Sequence, residues 1–272
     1  MNTIANKYRY PSRILITGIG KSGSTALFYS ILKALPDCTI QLFEPDNTKK
    51  TLPANTPPPA LVKSFIPYSE NFSFFEKKIL LVRDPRDNLI SLLLYKPYNI
   101  IGKFFPGEKE KAFSLIDAFI DQVKKKENGY TGISVRSLAK MLDISPEKRM
   151  ALVSVYFDNH PDCFVFRYED YIDGKMDDLQ NYLGLKLESG AEIPSNFERL
   201  ARSKKYGNWR NWFTPEDIDF YRQMMKSYLD KFGYADEWEL APHPEMDPDI
   251  GSRYISKIVQ EGTELRTKRK ID

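Results

Sequence analysis

Three short runs of this sequence combine cations, hydroxyls and glycine. The first is Gly18-Ile19-Gly20-Lys21-Ser22-Gly23-Ser24-Thr25. The second is Arg83-Asp84-Pro85-Arg86-Asp87, with Ser91 following. The third is Arg202-Ser203-Lys204-Lys205. These residue types donate to phosphate or sulfate oxygens. Gly23 lets a backbone come close to an anion, Lys21 adds a full charge, and Ser22, Ser24 and Thr25 offer O–H donors. Arginine suits the second and third runs because its planar fork gives two parallel bonds to a phosphate. Two further groups could act on a reacting atom: Glu44 in QLFEPDN and Lys63 in ALVKSF.

The elements around these runs follow from periodicity. Arg13–Thr17 (RILIT), Cys38–Phe43, Ala60–Ser64, Lys78–Val82 and Cys163–Arg167 read as short apolar strands suited to a buried parallel sheet. Apolar residues recur at helical spacing over Thr25–Leu35, where Pro36 stops the run. Asp84-Pro85 is a helix start, with aspartate as N-cap and proline in the first turn, and that helix is expected to end near Tyr95. Further helices are expected near Glu108–Lys126, Pro146–Asn159, Gly174–Leu183, Asn196–Lys204 and Pro215–Phe232. A looser Gly/Ser/Thr stretch precedes Pro146, and the charged tail from Glu261 is read as frayed or helical. Strands alternating with helices predict an α/β fold: a three-layer α/β/α sandwich with a central, mostly parallel sheet, P-loop-like. The expectation is one domain over residues 1–272, with 1–12 and about 261–272 peripheral.

Within that frame, the first run is a strand–loop–helix anion site. Consecutive backbone N–H groups there face the positive end of a helix dipole. It is not a Walker A loop, because the glycine required before Gly20-Lys21-Ser22 falls at Leu15, inside the strand. Arg83 stands at the carboxyl end of a core strand, where open α/β sheets bind ligands. Ser91 lies about two helical turns further on. The alternatives are an ordinary Gly/Ser turn, an Arg83–Asp84 surface salt bridge, and a basic solvated loop ahead of the Thr214-Pro215 helix start.

The order Lys-Ser-Gly-Ser-Thr over 21–25 resembles the 5′-phosphosulfate loop of sulfotransferases that use PAPS (3′-phosphoadenosine 5′-phosphosulfate). The strand–Arg83–helix run with Ser91 resembles that family's 3′-phosphate site. Arg202 falls where the family has a phosphate-contacting arginine, and Lys204 adds a contact. Asn208 replaces the usual aspartate, and Ser203 stands where cytosolic members carry lysine. Tyr168, in CFVFRYEDY, resembles the tyrosine packed near adenine; a core tyrosine is the alternative. Ala26 occupies the place of the tryptophan with which many members stack adenine.

The resemblance implies metal-independent, in-line transfer of a sulfuryl group from PAPS to a hydroxyl of a small-molecule or carbohydrate acceptor, with PAP as product. It implies that Lys21 neutralises the leaving oxygen and that Lys63 assists. Many phenol- and steroid-directed members carry Lys-Thr-His where this chain has Lys63-Ser64-Phe65. With no histidine there, Glu44 resembles the glutamate base of several carbohydrate-type and bacterial members. The alternative is that Glu44 caps a loop or pairs with Lys21. The acceptor is expected among 44–59, 67–75 and 96–107. A P-loop kinase for a small metabolite and an inactive nucleotide-fold binding protein are the competing readings.

Composition narrows the classes further. The 272 residues are 42% hydrophobic and 28% charged with a net charge of +3, enough for a full core. Lysines and arginines are interspersed with acids, which argues against a nucleic-acid partner. Only two histidines are present, so a histidine-rich metal site is excluded. Cys38 and Cys163 are expected as reduced thiols. The polar start MNTIANKYRYPSR and the lack of a long apolar run predict no membrane span and a cytoplasmic protein.

Overall fold

The structure, a computed structural model, describes residues 13–45, 59–66, 75–102, 109–188, 192–195, 197 and 203–268. Its described residues fall into two compact units. One is drawn from Met1–Asp84 and Arg149–Leu200, the other from Pro85–Lys148 and Ala201–Asp272. The strands are β1 (Arg13–Gly18), β2 (Ile40–Phe43), β3 (Ala60–Phe65), β4 (Lys77–Val82) and β5 (Phe164–Arg167). The helices are α1 (Ser24–Lys33), α2 (Pro85–Gly102), α3 (Lys109–Glu127), α4 (Val135–Met141), α5 (Pro146–Asn159), α6 (Tyr168–Ile172), α7 (Asp177–Leu183), α8 (Trp209–Trp212), α9 (Pro215–Lys231) and α10 (Ser252–Lys268).

The first unit is built on one sheet in the order β2-β3-β1-β4-β5, parallel at every pairing. Ile14, Ile16, Leu61, Ile79, Leu81 and Phe166 share one face and pack with Leu27, Phe28 and Ile31 of α1 and Leu179 and Leu183 of α7. Leu15, Val62, Leu80 and Val82 alternate with them and are as deeply buried. Burial on both faces explains the near-continuous apolar runs of the central strands. β2 begins at Ile40 rather than Cys38, because Thr39 N–H closes a turn on the Pro36 carbonyl at 2.9 Å. The helix expected over Gly174–Leu183 is α7, which starts at Asp177; the short α6 precedes it, with Gly174 at φ 72 between the two.

The strand order sets the position of the site. The chain leaves β1 for β2 on one flank, and leaves β4 for β5 on the other. With right-handed crossovers, the loops after the adjacent strands β1 and β4 depart in opposite directions. That is the topological switch point at which open parallel sheets bind ligands.

The second unit is helical in its described residues. α2 continues through Pro97 to Gly102 instead of ending near Tyr95. Gly262 of α10 lies against the last turn of α2; a Cβ there would stand 3.2 Å from the Tyr98 ring. Packing of this closeness overrides the bond that Pro97 removes. α4, which sequence pattern did not mark, has its first N–H groups held by a distant residue. Asp217 accepts from Val135 N at 2.8 Å and Arg136 N at 2.9 Å while forming a capping box with Thr214 at the start of α9. The helix expected over Asn196–Lys204 lies largely outside the described residues.

Candidate active site

The loop after β1 is shaped by close approaches and by side chains that grip its carbonyls. Gly18 lies against β4: a Cβ there would be 2.6 Å from the Leu81 carbonyl oxygen, so the position admits only glycine. Three consecutive carbonyls are then held. Ser22 Oγ donates to Ile19 O at 2.8 Å, an Arg149 Nη donates to Gly20 O at 2.7 Å, and an Arg83 Nη donates to Lys21 O at 3.1 Å. Lys21 takes a left-handed backbone at φ 69, and Gly23 follows at φ 93. A left-handed lysine is strained and persists only where its surroundings fix it.

α1 starts directly from this loop. Its N-cap, Gly23, contributes no side-chain cap, and no acidic residue occupies the first turn. Ser24 and Thr25, both buried, are the first two residues of the helix. A helix N-terminus without its own anionic cap, preceded by a lysine, attracts an anion through its dipole and its N–H groups.

Tyr168 and Arg83 close one side of the loop. A Cβ on Gly23 would meet the Tyr168 ring at 2.3 Å, so ring and glycine backbone are in direct contact. The Arg83 guanidinium lies 4.3 Å from the centroid of the same ring. Tyr168 thus packs between Gly23 of the loop and Arg83. Arg83, expected with Ser91 at a second phosphate, donates a hydrogen bond to the first loop. Asp84 N–H is held by Glu169 Oε1 at 3.0 Å, which fixes the turn beyond Arg83.

Glu44 and Lys63, both expected as catalytic groups, come together as one ion pair. Glu44 follows β2 with φ 49, and its N–H donates to the Lys63 carbonyl at 2.9 Å. Lys63 is 2% exposed and Glu44 33% exposed by side chain. The Lys63 ammonium also sits 4.2 Å from the Phe43 ring and 4.6 Å from the Phe65 ring. Burial pushes the Lys63 pKa below its ordinary value, and the Glu44 carboxylate opposes that shift. The predicted alternative partner of Glu44, Lys21, is not the one it takes in this pair.

The remaining expected binding residues belong to the second unit. Ser91 is buried on α2. Asp87, also buried and one turn before Ser91 on the same helix face, accepts from Gly207 N and from Trp209 N, the latter at 3.1 Å. The carboxylate therefore anchors the basic stretch containing Lys204 beside the face of α2 that carries Ser91. Lys204 itself is exposed at φ 48. Arg202 lies outside the described residues, as do most of the segments expected to form the acceptor pocket.

Sequence reasoning passed over Arg149 and gave Gly18 and Asp87 no role of their own. Gly18 ends the β1 run and carried a signal, since a glycine at a strand end marks close backbone approach. Asp87 looks like an ordinary first-turn acid in the sequence. Arg149 had no signal, being one more basic residue on the polar side of a helix.

Together these features define a parallel α/β protein with a strand–loop–helix turn at its switch point whose lysine and uncapped helix end suit an anion. No family model matches the chain, and no curated protein matches it. Among solved structures it is similar to mouse sulfotransferase SULT7A1 complexed with PAP, with 14% identity and a TM-score of 0.45, covering 80% of this chain and 85% of that one. Among the described residues no helix is long and apolar enough to cross a membrane.

Proposed function

We propose that the protein is a PAPS-dependent sulfotransferase acting on a hydroxyl of a small-molecule or carbohydrate acceptor. The observation that carries this reading is the loop at the switch point. Its carbonyls are tied by Ser22, Arg149 and Arg83, its lysine is left-handed, and the helix behind it lacks an acidic cap. The Lys-Ser-Gly-Ser-Thr order without Walker spacing favours a phosphosulfate over a nucleoside triphosphate.

In this reading Ser22, Gly23, Ser24, Thr25 and Lys21 form the 5′-phosphosulfate site. Arg83 and Tyr168 brace it. The acceptor oxygen attacks sulfur in line, and the bond from sulfur to the bridging oxygen breaks. PAP departs with that oxygen, whose developing charge the Lys21 ammonium neutralises. The acceptor proton passes to Glu44, the exposed member of its pair, while buried Lys63 holds that carboxylate in place. Ser91, Lys204 and Arg202 are proposed as 3′-phosphate contacts on the strength of the sequence pattern.

Calorimetric titration with PAP and with ATP plus magnesium tests the donor. Binding of PAP and not of ATP is expected; the reverse preference points to a kinase and overturns the reading. A screen of hydroxylated acceptors with labelled PAPS then tests transfer, with Lys21→Ala as the control. PAP binding without transfer to any acceptor would identify an inactive binding protein.

A further inference from the structure

The geometry points to Arg149 as a positioning residue of the anion loop, acting through the Gly20–Lys21 peptide. The inference rests on the proposed function only for the identity of the ligand. Arg149 sits in the second turn of α5, far along the chain from the loop, and is half-buried. Its guanidinium donates to Gly20 O at 2.7 Å, the shortest of the three bonds that grip the loop carbonyls.

A trans peptide is planar, so its carbonyl and the following N–H point in opposite directions. Fixing Ile19 O, Gly20 O and Lys21 O therefore fixes the N–H groups of Gly20, Lys21 and Ser22, which turn away from the donors. Two of the three grips come from residues that sequence pattern places at the site, Ser22 and Arg83. The third comes from Arg149, on the middle carbonyl. That carbonyl belongs to glycine, whose peptide turns most freely, and it precedes a lysine held at φ 69. Removing the grip loosens the plane that carries the Lys21 N–H. A guanidinium on the carbonyl also polarises that peptide, which strengthens the N–H as a donor to an anion. Arg149 thus prepares the loop for a 5′-phosphate without belonging to the residues that bear the expected motif.

Calorimetry on wild type, Arg149→Ala and Arg149→Lys with two nucleotides tests this. PAP carries a 5′-phosphate; adenosine 3′-monophosphate does not. Arg149→Ala is expected to bind PAP about tenfold or more weakly, in keeping with one charge-assisted hydrogen bond, and to bind adenosine 3′-monophosphate as wild type does. Added methylguanidinium should restore part of the PAP affinity of Arg149→Ala. Undiminished PAP affinity, or an equal loss for both nucleotides, overturns the assignment. Thermal melting without ligand identifies a variant that has lost its fold, in which case Arg149→Lys carries the comparison. It keeps the charge but not the fork, and a PAP affinity equal to wild type would then overturn the role. If wild type binds neither nucleotide, the donor proposal fails on its own. Inorganic pyrophosphate, followed by phosphorus NMR, then replaces PAP. Weaker pyrophosphate binding by Arg149→Ala upholds the positioning role, and equal or absent binding overturns it.

Discussion

The carboxyl ends of β1 and β4 and those of β2 and β3 both gather cations, yet the two regions use them differently. After β1 and β4, Arg83 and Arg149 bond backbone carbonyls of the loop that carries Lys21. After β2 and β3, Lys63 bonds the Glu44 carboxylate. A hydrogen bond to a carbonyl orients a peptide without cancelling the donor's charge, whereas a carboxylate cancels it. The first arrangement suits a site that receives an anion. The second suits a site that receives a neutral hydroxyl and its proton. One sheet thereby presents two neighbouring pairs of strand ends that differ in how their cations are partnered.

The comparison fails most visibly at Lys21. Lys21→Ala is expected to lower turnover of labelled PAPS about a thousandfold or more, ~4 kcal/mol of barrier. A loss of only about tenfold would reduce Lys21 to a binding contact. On the other side of the comparison, Glu44→Gln is expected to lower turnover about a hundredfold, with PAP affinity unchanged. Near-normal turnover in that variant would leave the pair with a purely structural role. Gly23→Ala probes the loop's contact with Tyr168, because φ 93 and a 2.3 Å approach both oppose a Cβ. Chemical denaturation should show a loss of about 1–3 kcal/mol. Adding Tyr168→Ala should recover the part due to the ring and not the part due to the backbone angle; full recovery would mean that the backbone is unstrained.

The smallest effect concerns the pH response of the buried pair. The pKa of Lys63 is lower in the folded chain than its ordinary 10.5. Between the folded value and 10.5 the unfolded chain binds more protons, so this group makes stability rise with pH across that window. Below the folded value its penalty is fully present. Urea midpoints of wild type and Lys63→Met, compared at successive alkaline pH values, should therefore shift in favour of wild type as pH rises. A difference that stays flat or moves the other way would show that the Glu44 interaction outweighs burial.

Local pattern was enough for several elements because their causes are local. Pro146–Asn159 matches α5 at both ends, and Thr214-Pro215 announces α9 through a capping box closed within one turn. The β1 loop was legible for the same reason, since strand, glycine, lysine and helix are contiguous. Long-range partners were not legible. Asp87 looks like a first-turn acid until Gly207 and Trp209 are found on it. α2 looks finished at Pro97 until Gly262 is found against its last turn.

The amino-acid order by itself determined an α/β chain, five short strands and a glycine-containing loop with Lys21 after the first of them. Hydrophobic period and turn chemistry act over a few residues and can be read in line. Tertiary structure alone decided that Arg149 grips Gly20, that Tyr168 lies on Gly23, and that Glu44 takes Lys63 as its partner. Each of these contacts joins residues separated by a strand or a helix. Their meeting depends on strand order and crossover direction, which no short window of sequence contains.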